Sequence, residues 1–271
     1  MNAGASGFSL KAVTVDYGRG PVLKGLDLDI EPGEAVAFVG PSGAGKTSLL
    51  KVLTGSVRPR RGSVAVDGRR LDTLSPGELR AMRARVGFIH QDLALVPNVR
   101  VVKNVLAGRL GRLSFWRSLG AMLFPPRGFV LEAHRILERV GIGDALYERT
   151  DRLSGGQQQR VAIARALFQE PAALVADEPV SSVDPARARD VIALLRSVAQ
   201  ERGLTLCASL HDVALAREFF PRLVGLRQGA VAFDRPADRV SPQAFEELYD
   251  LESDPVPDEG TDDASPGTRS P

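Results

Sequence analysis

The chain has 271 residues, 44% hydrophobic and 25% charged, the proportions of an ordinary globular protein with material for one large domain or two small ones. No apolar run approaches the roughly 18 residues that cross a bilayer, so any membrane role is expected to be peripheral. The formal charge of +2 divides unevenly: the last twenty residues carry −5, leaving +7, much of it Arg, on the remainder. That basic excess is suited to phosphates or an anionic surface as well as to a solvated face. The single cysteine, Cys207, excludes an intramolecular disulfide and lies in an apolar run that reads as core. The N-terminus has no signal-peptide pattern, and the expected compartment is cytoplasmic.

Taken in chain order, residues 1–7 are small and polar and are expected to form a flexible tail. Phe8 to Val15 and Ser63 to Val66 predict strands of an antiparallel flank, the second ending in a turn at Asp67-Gly68. Between them Ala35 to Val39 is short, wholly apolar and bounded by breakers, as a buried parallel strand is. The next residues are Gly40-Pro41-Ser42-Gly43-Ala44-Gly45-Lys46-Thr47, followed by a helical run from Ser48 to Leu53. Glycines at this spacing let the backbone curl so that successive N–H groups face phosphate oxygens, and the helix N-terminus adds positive potential. Lys46 is placed to reach the β- and γ-phosphates of a nucleotide, and the Thr47 hydroxyl to ligate Mg2+.

From about residue 92 to residue 152 helical patterns dominate, interrupted at Pro125-Pro126-Arg127-Gly128. Leu131 to Val140 has the spacing of an amphipathic helix. This region is expected to be a helical subdomain inserted into one α/β domain, not a second domain. Within it, Ser114 to Phe124 is aromatic and apolar enough to be either core or a contact surface. Further on, the apolar run from Ala173 ends in Asp177-Glu178-Pro179. Asp177 suits a magnesium shell, and Glu178 a general base that polarises an attacking water. Residues 252–271, rich in Pro, Asp, Gly, Ser and Thr, are expected to be a disordered acidic tail after a domain spanning 8–251.

One octapeptide is more specific than these. Leu153-Ser154-Gly155-Gly156-Gln157-Gln158-Gln159-Arg160 resembles the signature sequence of the ABC ATPases, and it opens a predicted helix from Gln158 to Phe168 with Ser154 as a natural N-cap. The resemblance covers roughly Phe8 to Leu251. It implies a P-loop NTPase (RecA-like) core with an antiparallel β flank and an inserted helical subdomain. It also implies a homodimer in which Ser154, Gly155, Gly156 and Gln157 of one chain close over the γ-phosphate bound by the other. By the same resemblance Tyr17 stacks on adenine, and Gly40, Pro41, Ser42, Gly43, Ala44, Gly45, Lys46, Thr47 and Ser48 wrap the phosphates. Gln91 senses Mg2+ and the attacking water, Asp184 in Ser181-Ser182-Val183-Asp184-Pro185 bridges the subunits, and His211 contacts the γ-phosphate.

Asn104 to Gly111 with Ser114 to Arg117, and the end region from Leu226-Arg227-Gln228-Gly229 to Phe245-Glu246-Glu247-Leu248-Tyr249, are similar to the phosphonate-import ATPases. His90 and the stretch Asp92 to Pro97 depart from that pattern. The resemblance thus implies an ATP- and Mg2+-dependent subunit at the cytoplasmic face of the cell membrane. Its partners would be an integral permease, indirectly a periplasmic or extracellular binding protein, and no nucleic acid. The alternatives are the ATPase of an amino-acid importer or lipoprotein-release exporter, and a non-transport ABC ATPase.

Overall fold

Strands whose residues alternate between apolar and polar have one face for water, whereas strands apolar throughout must be covered on both. The two patterns sort into two sheets. The computed structural model describes residues 4–181 and 184–250. Its elements in chain order are β1 (Phe8–Asp16), β2 (Pro21–Ile30), β3 (Ala35–Val39), α1 (Lys46–Leu53), β4 (Arg61–Val66), β5 (Arg69–Arg70), α2 (Pro76–Arg83) and β6 (Val86–Ile89). There follow α3 (Val101–Ala107), α4 (Phe115–Leu123), α5 (Arg127–Arg139), α6 (Gly155–Phe168), β7 (Ala173–Asp177) and α7 (Pro185–Arg202). The chain continues through β8 (Thr205–Ser209), α8 (Val213–Phe219), β9 (Arg222–Arg227), β10 (Ala230–Pro236) and α9 (Pro242–Tyr249).

The alternating strands make an antiparallel sheet of order β2-β1-β4-β5. Its β4–β5 turn has both Asp67 (φ 52°) and Gly68 (φ 74°) in the left-handed region, as a tight hairpin turn between right-twisted strands requires. The continuously apolar strands, with the mostly exposed β10 added at one edge, make the second sheet, β10-β9-β3-β8-β7-β6, parallel except for the β9–β10 hairpin. One core fills the space between the sheets, with Leu10, Leu23, Phe38 and Leu49 fully buried. The other lies beneath the helices, around Ile89, Leu137, Ile163 and Phe168.

Between β6 and α6 the described residues form helices and connecting turns, closed at the base by an isolated bridge between Arg100 and Arg149. Asn104 fastens that base. Its Oδ1 accepts from the Val96 N–H (3.0 Å), and its Nδ2 donates to the Val96 carbonyl (2.9 Å) and to Thr150 Oγ1 (2.8 Å). A buried amide with these bonds made is stable, and one stripped of them is not, so Asn104 fixes where the insert joins the sheet.

One expectation changes and one open choice is decided. The tail expectation for residues 1–7 fails at Ser6 and Gly7. Ser6 is fully buried, its Oγ donating to Asp67 Oδ2 (3.1 Å), while the Gly7 N–H donates to Asp67 Oδ1 (3.0 Å). Met1 to Ala3 lie outside the described residues, as do Leu251 and the whole of residues 252–271. The choice between core and contact surface for Ser114 to Phe124 falls to surface: Phe115, Trp116 and Phe124 are 72%, 77% and 82% exposed.

Candidate active site

Strand β3 is buried along its whole length and delivers the chain at Gly40 to the sheet's C-terminal edge. There the backbone takes a path open to few residue types. Gly40, Gly43 and Gly45 have φ of 145°, 80° and 101°, and a Cβ on Gly40 would lie 2.1 Å from the Leu226 carbonyl oxygen. Gly45 is the N-cap of α1 and uses no side chain to cap it, so the first-turn N–H groups, including those of Lys46, Thr47 and Ser48, face out of the helix without a partner within it. Lys46 is 5% exposed and forms no ion pair among the described residues. Its Nζ turns back on its own loop, donating to the carbonyls of Gly40 (2.7 Å) and Pro41 (3.0 Å). Burial pushes the Lys46 ammonium below the ordinary lysine value, against the pull of Glu178 and Asp177 nearby. A buried cation beside unpartnered N–H groups, in a loop too tight for side chains, fits a polyphosphate.

The carboxylates arrive on β7, two strands away. Asp177 is 4% exposed, and its Oδ1 accepts from Thr47 Oγ1 (3.2 Å) and Ser209 Oγ (2.8 Å). Ser209 is in register with Asp177 across the β7–β8 pair, and the same hydroxyl accepts the Glu178 N–H (2.8 Å). This bond anchors an uncommon backbone, for Glu178 has φ 46°, a left-handed conformation costing a non-glycine residue about 1 kcal/mol. The Glu178 carboxylate is held at both oxygens: Gln91 Nε2 donates to Oε2 (2.9 Å), and His211 Nε2 lies 2.5 Å from Oε1. Thr47, Gln91, Asp177, Glu178 and His211, scattered over 165 positions, thus form one hydrogen-bonded group at the edge of one sheet. Hard oxygen donors at Thr47 and Asp177 beside a phosphate cradle are those Mg2+ prefers.

The other expected residues lie around this group. Tyr17 is 54% exposed and its hydroxyl donates to Ser48 Oγ (3.3 Å), leaving a ring face open beside the start of α1. Ser42 and Gly43 are exposed at the tip of the loop, and Ala44 is buried beneath it. Ser154 caps α6, accepting from the Gln157 N–H (3.4 Å), while Gln157 Oε1 accepts the Ser154 N–H (3.0 Å). Ser154, Gly155, Gly156 and Gln157 make no hydrogen bond to the phosphate loop or to the Asp177–Glu178 group. Ser154, Gly156 and Gln157 border instead a cleft of about 310 Å3 with Arg160, Arg187 and Asp190. Asp184 is exposed ahead of α7, its carboxylate accepting the Arg187 N–H (3.2 Å), and Ser182 and Val183 lie outside the described residues. The chain thus brings the phosphate loop, carboxylates, glutamine and histidine together and leaves the signature segment apart from them.

Three contacts were not anticipated. Ser209 ties the two carboxylate positions together; its only trace in the sequence is a hydroxyl closing an apolar strand. Tyr249 on α9 accepts the Gly40 N–H at its hydroxyl (3.1 Å), and nothing local to either residue announces a pair 209 positions apart. Arg165 of α6 donates to the carbonyls of Leu93 (2.7 Å) and Ala94 (2.5 Å), both left-handed, and so fastens the segment after Gln91 to the signature helix. His90 stacks edge-on against Phe88 (4.4 Å) and, with Arg165 and Gln169, borders a groove of about 400 Å3 beside that segment.

The profile of the ABC transporter family matches residues 23–181, more than half of the chain. Among curated proteins, the phosphonates import ATP-binding protein of Pseudomonas aeruginosa is 47% identical over 242 residues, which are 89% of this chain and 90% of that one. That of a Synechococcus species is 44% identical over 227 residues, 84% of each chain. The Anaeromyxobacter dehalogenans protein is 48% identical over 235 residues, 86% of this chain, but this chain spans only 46% of its length. Among solved structures, the ATP-binding cassette MJ0796, a post-hydrolysis dimer bound to ADP and Pi, superposes with a TM-score of 0.69 at 30% identity, covering 85% of this chain and 98% of that one. CbiO1 of Clostridium perfringens, part of the transporter complex cbiONQ, superposes with a TM-score of 0.74 at 26% identity, covering 89% and 90%. The fold, the phosphate loop and these likenesses agree: the chain belongs to the ABC transporter family, as one of its ATP-binding, ATP-hydrolysing subunits.

Proposed function

We propose that this chain powers an importer of phosphonates, or of a close phosphorus oxyanion such as phosphite, as a homodimer beneath a separate integral permease at the cytoplasmic face of the membrane. The observation that carries the catalytic part is the single hydrogen-bonded group formed by Thr47, Asp177, Ser209, Glu178, Gln91 and His211 at the mouth of the phosphate loop. The choice of cargo is supported by the names of relatives 44–48% identical over most of the chain.

In this reading the N–H groups at the start of α1 and the Lys46 ammonium hold the β- and γ-phosphates of ATP, and Tyr17 stacks on the adenine. Thr47 and Asp177, with Gln91 on the Glu178 side, would hold Mg2+, which neutralises charge on the phosphates as the bond breaks. Glu178 Oε accepts a proton from the attacking water. The water's oxygen bonds to the γ-phosphorus, and the bond to the β–γ bridging oxygen breaks, leaving ADP and phosphate. His211, released from Glu178, donates to the γ-phosphate. Ser154 to Gln157, remote from their own phosphate loop, complete the partner's site, with Asp184 bridging the two chains. ATP thereby favours the closed dimer, and hydrolysis reopens it. The path outward runs from Gln91 through the Leu93 and Ala94 carbonyls to Arg165 of α6. The groove beside His90 receives the permease, and the binding protein acts only through that permease.

The test is deletion of the gene, followed by growth on alkylphosphonate, phosphite or phosphate as sole phosphorus source. Failure on phosphonate or phosphite with normal growth on phosphate is expected. Unchanged phosphonate uptake with a defect in amino-acid uptake or lipoprotein release would reassign the cargo.

A further inference from the structure

Helix α4 presents its apolar side to solvent. Ser118, Ala121 and Met122 turn toward the protein, whereas Phe115, Trp116, Leu119 and Leu123, spaced for one face of a helix, point away from it. With Phe124 they account for five of the nine large exposed hydrophobic residues among those described, all between Phe115 and Phe124, where the other four stand singly. The Phe115 and Trp116 rings pack edge to face, their centroids 5.2 Å apart. The segment that carries them holds charge of one sign. From residue 93 to residue 131 the chain holds six Arg or Lys and no Asp or Glu. Arg109 and Arg112 are turned inward onto Glu132 and Glu170. Arg117 on the helix and Arg127 just beyond it are exposed and form no ion pair among the described residues. Arg80, its guanidinium donating to the Gly111 (2.8 Å) and Leu113 (2.7 Å) carbonyls, adds a further cation under the helix start.

We infer that α4 is a lipid-contacting helix that lies in the headgroup region of an anionic membrane, with Phe115, Trp116, Leu119, Leu123 and Phe124 inserted and Arg117 and Arg127 on lipid phosphates. A helix with aromatic and Leu residues on its exposed side, flanked by the exposed Arg117 and Arg127, has the chemistry of an interfacial helix. The inference does not depend on which cargo the transporter carries: it assigns the chain a membrane contact of its own, besides any made through a permease.

Trp116 is the only tryptophan of the chain, so its fluorescence reports this helix alone. The full-length protein is mixed with vesicles of phosphatidylcholine, or of phosphatidylcholine with about one third phosphatidylglycerol, a fraction typical of an anionic leaflet. Expected are a blue shift of Trp116 emission and co-sedimentation with the anionic vesicles only, both reversed by salt. Arg117→Gln and Arg127→Gln should each weaken binding about fivefold. Phe115→Ser with Leu123→Ser should abolish it while ATP turnover stays at the wild-type rate, because α4 lies outside the nucleotide group. Unchanged Trp116 emission with anionic vesicles, or vesicle binding that survives the Phe115/Leu123 double variant, would overturn the inference. So would a Trp116 shift seen only on adding the permease in lipid-free detergent, which assigns the face to a protein.

Discussion

Replacing Ser209 by Ala removes one hydroxyl that serves two groups. Its Oγ donates to Asp177 Oδ1 and accepts the Glu178 N–H, each at 2.8 Å, in a position with no solvent exposure. A bond to an ionised carboxylate contributes about 1.5–3 kcal/mol, and a buried N–H left unmet costs about 1–3 kcal/mol. Asp177 retains Thr47 Oγ1 at 3.2 Å, which offsets part of the loss, so about 2–3 kcal/mol is expected overall. With an m-value of about 2–3 kcal/mol/M, that lowers the urea midpoint by about 1 M. Activity should suffer separately, because the Glu178 N–H no longer pins a left-handed backbone, and the carboxylate relaxes from its place between Gln91 and His211. Turnover is expected to fall about tenfold with little change in KM for ATP, as when a positioning contact of about 1.4 kcal/mol is lost at the transition state. Urea denaturation and steady-state phosphate release read the two effects. A Ser209→Ala protein within about 0.5 kcal/mol of wild type and of normal turnover would show that the hydroxyl organises nothing, against the usual cost of such a loss.

Lys46→Ala should abolish hydrolysis and weaken ATP binding at least about tenfold, because the phosphate charge loses its buried cation; fluorescent-nucleotide titration measures it, and near-normal affinity in a folded variant would contradict the loop's role. Tyr249→Phe removes the hydroxyl that accepts the Gly40 N–H and should raise KM for ATP several-fold, with a stability loss of about 1 kcal/mol. An unaltered KM would mean that α9 does not help to set the loop. Ser154→Arg should leave nucleotide binding by a monomer intact while blocking hydrolysis, since Ser154 touches no part of its own phosphate loop; loss of monomer binding would refute a composite site.

How much was legible in the sequence depended on whether the physics was local. The phosphate loop was, because glycine spacing, the apolar run of β3 and the helix that follows are contiguous. Asp177 and Glu178 were, because they end a strand apolar enough to be central. Strand β2 was not drawn: Lys24-Gly25 interrupts its alternation, and Gly25 is left-handed where the pairing with β1 shifts register. Ser209 and Tyr249 act through strand register and through a helix at the end of the domain, which no window of sequence displays. Asn104 begins a stretch similar to the phosphonate-import ATPases, and the structure gives it a physical duty in holding the insert's base. The segment from Ser114 to Phe124 was ambiguous because composition cannot tell an apolar helix face turned inward from one turned outward. Only the packing of Ala121 against the protein decides it. Ser6 failed as tail because its partners, Asp67, Ala172 and Thr205, come from three distant elements.

The proposed function stands on Glu178 as the base in a site completed by a second copy of the chain. The most direct test is size-exclusion chromatography of Glu178→Gln with and without Mg-ATP. The amide keeps the hydrogen-bonding shape but cannot take a proton, so the variant should bind ATP, fail to cleave it and elute as a stable dimer only when ATP is present. A Glu178→Gln protein that remains monomeric under ATP while still releasing phosphate would contradict both the base and the shared site.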